Sequence, residues 1–143
     1  TSVHAGAERW VPDVVVNAAG AWAAGVAALA GVALPVRPTR RQIAVAHPAP
    51  GIDDGFPMTI WTRDAFHLRV RDGRALLNWP VDTPPPADDP FDTTVHRPWL
   101  ADVWARATAR VPALRASSLD DAAHWCGLYE LSPAKTLLFG VDD

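Results

Sequence analysis

The chain has 143 residues, of which 49% are hydrophobic and 20% are charged, and its formal net charge is −3. This length suits one domain or a large piece of one, and this composition is typical of a globular protein rather than a disordered or coiled-coil one. The net negative charge argues against a nucleic-acid-binding module, because no surplus of cations is present to neutralise phosphates.

Cysteine content and apolar patterning bear on the compartment. Cys126 is the only cysteine, so an intrachain disulfide is excluded, and the first ten residues lack the apolar run of a signal peptide. The most apolar window, Ala18–Val36, consists mostly of Ala and Gly, which favours a buried helix over a membrane span. We therefore expect a cytoplasmic protein that does not associate with membranes.

The first third of the chain predicts two strands and a helix. Glu8–Val11 is expected to be an edge strand, and Asp13–Ala19 is a short apolar run typical of a strand buried on both faces of a parallel sheet. Apolar residues at helical spacing predict a helix over Ala21–Ala30. Gly31 suits its C-terminal cap, and Pro35 lies beyond it.

The middle of the chain predicts an antiparallel sheet. Strands are expected at Arg41–His47, Met58–Thr62, Phe66–Arg71 and Arg74–Trp79, with a loop over Pro48–Pro57. Asp72-Gly73 joins the last two strands and is the best two-residue hairpin signal in the chain. In the first of these two strands, Phe66, Leu68 and Val70 should face one way, and His67, Arg69 and Arg71 the other.

The last third predicts one long helix and two further strands. Pro80–Thr94 is a polar, proline-rich loop, and Pro98–Val111 carries the clearest amphipathic stripe in the chain. Strands are expected at Asp121–Leu131 and Thr136–Val141. The predicted fold class is therefore α+β, a mostly antiparallel sheet with a long helix packed on it.

The residues alone reveal no self-contained catalytic machinery. There is no Gly-x-Gly-x-x-Gly, no Gly-x-x-x-x-Gly-Lys-Ser/Thr and no Gly-x-Ser-x-Gly. The five histidines are far apart in the sequence, and none has a partner at metal-ligand spacing, so no metal site is predicted.

Several segments, in order, resemble one enzyme family. Val14–Trp22 (VVVNAAGAW) followed by Leu34–Gln42 (LPVRPTRRQ) is similar to the VVNAAGAW and LPV-P-R-Q run of FAD-dependent amine oxidoreductases. This family includes D-amino-acid oxidase, glycine oxidase and sarcosine oxidase. Arg110–Leu114 (RVPAL) and Trp125–Gly140 (WCGLYELSPAKTLLFG) resemble the same family's R-P-AL and W-AGLYE-TPD ending.

The resemblance implies a domain organisation. Residues 1–33 would be a remnant of the α/β FAD-binding domain, residues 34–131 the substrate-binding domain, and residues 132–143 a segment that returns to the FAD-binding domain. The family's opening Gly-x-Gly-x-x-Gly and its closing glycine-rich segment are absent. We therefore expect a fragment that is inactive in isolation, from a protein that binds FAD non-covalently.

The resemblance also implies a reaction. Such enzymes oxidise a small amine or amino acid, of the sarcosine, glycine or D-amino-acid type, by hydride transfer to the flavin, and the flavin is then reoxidised by oxygen or an electron carrier. One alternative is a non-catalytic interaction module descended from such an enzyme. A second is a tRNA-modifying flavoprotein, against which the lack of basic surplus weighs.

Three residues are expected on the substrate side. Tyr129 matches a position where the family places Tyr or Arg toward the substrate carboxylate, and a phenol can donate a hydrogen bond there. Its alternative role is that of a half-buried strand tyrosine. His67 and Arg69 share a hairpin face that could look onto the substrate, although an exposed sheet face would look the same.

Six residues are expected on the cofactor side. Ala18, Ala19 and Gly20 form a small-residue corner that would let backbone approach the dinucleotide, or they form a tight corner with no ligand. The resemblance brings Arg41 and Gln42 near the flavin ring, where a cation could stabilise reduced flavin; a solvated strand start is the alternative.

Gly127 completes the cofactor side, since it matches a spot next to the flavin ring. Some relatives have a cysteine there that tethers the flavin, but Cys126 is one residue earlier and should point to the other face, so no covalent flavin is expected through it. Two departures from the family pattern stand out: Ser132-Pro133-Ala134 replaces Thr-Pro-Asp, and Asn78-Trp79 stands where a glycine is common.

Overall fold

The structure is a computed structural model that describes residues 2–80 and 89–140 of the chain. The chain divides into a smaller unit, Thr1–Arg37 with Glu130–Asp143, and a larger unit, Pro38–Tyr129. None of the helices formed by the described residues is both long and apolar enough to cross a membrane. Within the same residues, no three His, Cys, Asp or Glu side chains are grouped closely enough to hold a metal ion.

The smaller unit begins with an antiparallel hairpin of β1 (Val3–Ala5) and β2 (Glu8–Trp10). The predicted edge strand at Glu8–Val11 is confirmed as β2 to within one residue. Its partner β1 has only three residues, too few for a hydrophobic pattern in the sequence to predict a strand.

A short helix follows in the smaller unit, as predicted for Ala21–Ala30. One turn of 3₁₀ helix at Gly20–Trp22 leads into α1 (Ala23–Leu29). Gly31 ends the helix with a φ of 79°, the left-handed conformation that a glycine cap adopts without strain.

Helix α1 buries its small side chains rather than its large ones. Ala23 and Ala27 are buried, whereas Trp22, Val26 and Leu29 are exposed. The expectation of a buried helix is therefore wrong for its large apolar face, because nothing in the described part of the chain covers that face.

The predicted strand at Asp13–Ala19 is wrong. No strand pairing is formed there, and Val14, Val15 and Val16 are 75%, 56% and 82% exposed. An apolar run is buried as a strand only when neighbouring strands take its backbone hydrogen bonds and other elements cover its faces. No strand formed by the described residues pairs with this segment.

The predicted strand at Thr136–Val141 is wrong for the same reason. Residues 136–140 form no strand, and Leu137 and Phe139 are among the most exposed apolar side chains described; Val141 lies outside the described residues. Both mistaken strands belong to the smaller unit. Among the described residues, neither apolar run has the neighbouring strands that a sheet would require.

A five-stranded sheet forms the centre of the larger unit, in the order β4-β5-β6-β3-β7. Its strands are β3 (Arg37–Ala46), β4 (Thr59–Trp61), β5 (Phe66–Arg71), β6 (Arg74–Asn78) and β7 (Trp125–Leu131). β4 with β5, β5 with β6, and β6 with β3 pair antiparallel. The expected antiparallel sheet is confirmed, although β7 is shorter than Asp121–Leu131 because residues 121–123 form a turn.

The predicted hairpin between β5 and β6 is confirmed. Asp72 and Gly73 both have positive φ values, 52° and 70°, as a type I′ turn requires. The Asp54 carboxylate accepts a hydrogen bond from the Gly73 N–H at 3.2 Å and braces the turn from a neighbouring loop.

Helix α2 (Arg97–Arg110) covers one face of the sheet. It matches the predicted Pro98–Val111 to within one residue at each end, with Pro98 in its first turn and Pro112 beyond its end. Its buried side chains pack with those of the sheet into one core, which includes Leu100, Val103, Ala107, Ala44, Phe66, Leu68 and Leu77. Of the predicted loop Pro80–Thr94, residues 81–88 lie outside the described part of the chain.

A carboxylate between β4 and β5 ties the sheet to α2. Asp64 Oδ2 accepts hydrogen bonds from Arg110 Nη2 at 2.8 Å and from Arg106 Nη1 at 3.2 Å. The Arg110 hydrogen bond is the main cause that holds the pKa of Asp64 below its usual value. The Arg106 guanidinium also stacks on the Trp79 ring, 3.4 Å from its centroid.

Candidate functional site

The sheet face opposite α2 is an open groove of about 800 Å³. Side chains alternate between the two faces along each strand, so the residues next to those buried in the core point into the groove. The floor is aliphatic, from Ile43, Val45 and Leu76, and the remaining lining includes His67, Arg69, Arg71, Arg74, Asn78 and Trp125. An apolar floor with a basic border suits a small organic anion.

His67 and Arg69 lie together in this groove, as the hairpin pattern predicts. They are two residues apart on β5, and their side chains share the groove face while Phe66, Leu68 and Val70 are buried on the other. His67 lies opposite Asn78 in the register, and its Nδ1 is 3.1 Å from the Ala65 carbonyl oxygen.

Arg69 differs from the two other arginines on its hairpin face. Arg74 Nη1 lies 2.9 Å from Asp120 Oδ2, and Arg71 Nε lies 3.7 Å from Asp72 Oδ2. Arg69 forms no ion pair or hydrogen bond through its side chain with the residues that the structure describes, and it faces Leu76 across the strand pair. Its charge is therefore available to a ligand in the groove.

Strand β7 contributes Gly127 and Tyr129 to the same face. Trp125 lines the groove and Tyr129 lies beneath the Arg41 guanidinium, so the odd positions of β7 face this side. A Cβ built on Gly127 would have no described atom within 4 Å apart from its chain neighbours. Tyr129 is 58% exposed, and its ring centroid is 5.6 Å from Arg41 Cζ.

Cys126 lies on the other face of β7. Burial raises the pKa of its thiol, while the nearby Arg40 cation opposes the shift. Arg40 itself is buried and donates to Asp92 Oδ2 at 2.9 Å and to the Thr94 carbonyl at 3.2 Å. Hydrogen bonds from Thr94 are the main cause that lowers the pKa of Asp92.

Gln42 is adjacent to Arg41 but points to the α2 face of the sheet. Its side-chain oxygen accepts a hydrogen bond from the backbone N–H of His96, which caps α2. Its backbone carbonyl accepts a hydrogen bond from Asn78 Nδ2 at 2.9 Å. The side chain of Gln42 therefore positions α2, while its backbone carbonyl holds Asn78, a groove residue for which the sequence predicts no role.

In the smaller unit, the corner of Ala18, Ala19 and Gly20 is held by Asn17. Its Oδ1 accepts a hydrogen bond from the Ala19 N–H at 3.2 Å, and its Nδ2 donates to the Ala23 carbonyl at 2.8 Å. Gly20 has a φ of +55°, and among the described atoms outside its chain neighbours a Cβ built there would meet only Glu130 Oε2, at 3.9 Å. The corner is thus not packed shut by neighbouring side chains.

The Ser132–Thr136 turn of the smaller unit contains Ala134 where the family pattern has Asp. Ser132 is buried; its hydroxyl donates to the Thr136 carbonyl at 2.7 Å and accepts from the Thr136 N–H at 3.1 Å. The Ser132 hydroxyl therefore closes this turn through two hydrogen bonds to Thr136.

The family described as DAO, FAD dependent oxidoreductase, matches residues 1–142, nearly the whole chain. The chain belongs to the FAD-dependent oxidoreductase family. The resemblance identified from the sequence motifs is confirmed, and so is FAD as the cofactor of the family.

Individual family members are similar at moderate identity. FAD-dependent oxidoreductase domain-containing protein 1 of Bos taurus is 30% identical over 82% of this chain and 26% of its own length. Glycine oxidase of Pseudomonas putida (strain KT2440) is 28% identical over 85% of this chain and 30% of its own. The chain therefore spans less than a third of the curated relatives it matches.

A solved structure supports the fold. L-proline dehydrogenase from P. horikoshii matches with a TM-score of 0.74 at 24% identity, over 88% of this chain and 33% of that one. The combination of antiparallel sheet and two helices is thus a fold found in this oxidoreductase family.

The described residues fit part of an FAD site. A Cβ added at Gly127 or at Gly20 would not collide with any described side chain, and such clearance is what close approach of a flat ring or a nucleotide backbone requires. The sequence contains no Gly-x-Gly-x-x-Gly, so the diphosphate-binding turn of this oxidoreductase family is not among its residues.

Proposed function

We propose that this chain is the substrate-binding part of an FAD-dependent oxidoreductase that oxidises a small amine or amino acid, of the sarcosine, glycine or D-amino-acid type. The observation that carries the proposal is the arrangement on one face of β7. Gly127 leaves open space on this face, and the Tyr129 phenol beside it is exposed and lies under the Arg41 guanidinium. A flat ring fits the first feature, and a carboxylate fits the second.

The domain assignment is part of the proposal. Residues 34–131 form the substrate-binding domain, residues 1–33 a remnant of the FAD-binding domain, and residues 132–143 a return to that domain. The exposed valines at residues 14–16 support this assignment, because such an apolar run is expected to be covered in a complete sheet. The limited share of the relatives' length that the chain spans supports it too.

On the substrate side, the residues are Tyr129, His67 and Arg69. The Tyr129 hydroxyl donates a hydrogen bond to a carboxylate oxygen, and Arg41 above its ring adds positive charge. Arg69, with no partner within the described residues, supplies a second cation to the groove, and His67 offers a ring nitrogen that can donate or accept. No general base is required if the amine binds unprotonated.

On the cofactor side, Ala18, Ala19 and Gly20 would lie against the nucleotide, and Arg41 and Gly127 beside the flavin ring. Gln42 contributes through its backbone and through α2, because its side chain is engaged on the other face. When bound, FAD supplies the electron acceptor for the amine. The protein residues bind and orient the substrate and keep its carboxylate fixed.

The test uses protein expressed from the complete reading frame that encodes this chain. We expect it to be purified with bound flavin, which loses its visible absorbance when glycine, sarcosine or a D-amino acid is added without oxygen. Arg69→Leu should weaken this response, whereas Arg71→Leu, the ion-paired arginine on the same face, should leave it nearly unchanged. Purified protein without flavin, or a flavin that no amine bleaches, would refute the proposal.

The alternative is a non-catalytic interaction module. It is favoured by the apolar side chains that the smaller unit exposes, such as Trp22, Leu29 and Phe139, which could contact a protein partner. A module of this kind would contain no flavin in the complete protein, so the same purification separates the two proposals.

A further inference from the structure

Asn78 is the most deeply buried polar side chain that lines the groove. It is 6% exposed and lies at the end of β6, on the groove face with Arg74 and Leu76, whereas Ala75 and Leu77 face the core. Its neighbour across the strand pair is His67, and the adjacent pair along the same strands is Leu76 with Arg69. Asn78 therefore sits among the residues assigned to the substrate.

The orientation of the Asn78 amide is determined by its hydrogen bond. Nδ2 donates to the Gln42 carbonyl oxygen at 2.9 Å. Rotating the amide by half a turn would place Oδ1 against that carbonyl, where two oxygens repel each other. The amide oxygen must therefore point away from β3.

The Asn78 oxygen has no hydrogen-bond partner within the described residues. It is buried, and a buried amide oxygen that lacks a donor is an uncommon and costly arrangement in folded proteins. Two other polar side chains of the groove lining have partners: Asp72 Oδ2 lies 3.7 Å from Arg71 Nε, and His67 Nδ1 lies 3.1 Å from the Ala65 carbonyl oxygen, to which it can only donate. Asn78 Oδ1 thus provides a fixed, unused acceptor.

We propose that Asn78 is a specificity-determining residue whose Oδ1 accepts a hydrogen bond from an N–H of the substrate amine. The substrate class that follows is a primary or secondary amine that carries a carboxylate, with amines that offer no N–H rejected. This inference rests on the proposed function. Arg69, one residue pair away, adds a positive charge to the same groove.

The chemistry of the acceptor explains the selectivity. A site that provides a hydrogen bond to a substrate N–H discriminates strongly against analogues without one, because the buried acceptor is then left unpaired. The loss of one such bond corresponds to roughly 10- to 100-fold in affinity. A glycine at this position would offer no side-chain acceptor and no such selection.

The test is a titration of the 143-residue chain followed by ¹H–¹⁵N NMR spectroscopy. The ligands are glycine, sarcosine and glycine betaine, which share the carboxylate but differ in N–H groups, betaine having none. We expect glycine and sarcosine to bind roughly 10-fold or more tightly than betaine and to shift the Asn78 side-chain amide resonances. Equal affinity for betaine and sarcosine, or no binding of any of the three, overturns the inference.

Two variants separate selectivity from folding. Asn78→Gly should bring the sarcosine-to-betaine ratio close to one, and Asn78→Asp, which keeps an acceptor oxygen, should retain the preference for N–H ligands. Because each ratio is measured within one variant, partial loss of stability affects both ligands alike. An unchanged ratio in Asn78→Gly overturns the inference.

The outcome is distinguishable from failure of the proposed function. If amines bleach the flavin of the complete protein but the titration shows no preference for N–H ligands, only the role of Asn78 fails. If no amine bleaches the flavin, the proposed function fails, whatever the titration of the chain shows.

Discussion

The guanidinium of Arg41 lies over the ring of Tyr129, with 5.6 Å between Cζ and the ring centroid. The two side chains project from neighbouring strands, β3 and β7, on the face where Gly127 leaves open space. This contact holds an otherwise exposed phenol in place beside a cation, and the pair together presents an O–H donor and a positive charge to one face.

Tyr129→Phe in the complete enzyme tests the role of the phenol. The aromatic contact with Arg41 is retained, and only the hydroxyl donor is lost, so KM for a carboxylate-bearing amine should rise roughly 10-fold while kcat changes less. Steady-state kinetics with sarcosine measures this, and Tyr129→Leu, which also removes the ring, should have a larger effect. Unchanged KM in Tyr129→Phe would mean that the phenol does not contact the carboxylate.

Gly73→Ala should destabilise the hairpin between β5 and β6. Gly73 has a φ of 70°, where an L-residue with a Cβ is strained, so the free energy of unfolding should fall by about 1–2 kcal/mol. Asp72→Asn, which keeps a residue well suited to the type I′ turn, is the matched control and should be nearly neutral. Urea denaturation of the chain measures both, and equal stability of Gly73→Ala and the parent would contradict the assigned turn.

Substitutions of one buried and one exposed leucine compare the core of the larger unit with the exposed surface of α1. Leu77 is fully buried between β6 and α2, so Leu77→Ala should cost about 2–5 kcal/mol of unfolding free energy. Leu29 is 89% exposed on α1, and Leu29→Ala should change stability by less than about 0.5 kcal/mol in the chain alone. Thermal or urea unfolding distinguishes them, and a large loss in Leu29→Ala would show that the α1 surface is covered in solution.

His124 makes stability depend on pH. Its Nδ1 accepts a hydrogen bond from the Val45 N–H at 3.1 Å, which requires that nitrogen to be unprotonated. Burial lowers the pKa of His124 below its usual 6.5, although Asp121 and Asp120 oppose the shift; Arg97 adds to it. The folded state therefore binds a proton less readily than the unfolded state does.

The sign of the pH effect follows from this lowered pKa. The contribution of His124 is fully present above pH 6.5 and is lost as pH falls below 6.5 toward the lower pKa of the folded state. Urea denaturation at a series of pH values should show this loss in the parent chain. His124→Asn, whose Oδ1 can still accept from Val45, should flatten the dependence; an equally steep curve would contradict the assignment.

Local sequence patterns predicted the elements of the larger unit well, because the residues that set the turns and ends of these elements are close to them in sequence. The Asp72-Gly73 turn sets the register of β5 and β6, and Pro98 and Pro112 bracket α2. The face shared by His67 and Arg69 follows from simple alternation once the register is known.

The same patterns failed where burial depends on distant partners. The valines at residues 14–16 have the composition of a buried strand, but no described strand pairs with them. The role of Asn78 could not be predicted either, because its unpaired oxygen arises only when β6 lies against Gln42 of β3. Sequence patterns report local periodicity, whereas an unsatisfied polar atom is a property of the assembled sheet.

The most direct test of the account is the flavin content of Gly127→Val in protein expressed from the complete reading frame. Valine suits a strand, and its Cβ would have no described atom within 4 Å apart from its chain neighbours, so the variant should fold, with Gly25→Ala in α1 as a control. If the flavin ring lies against Gly127, the variant should be purified without flavin while the control keeps it. A Gly127→Val protein that retains flavin with the parent's absorbance spectrum would contradict the account.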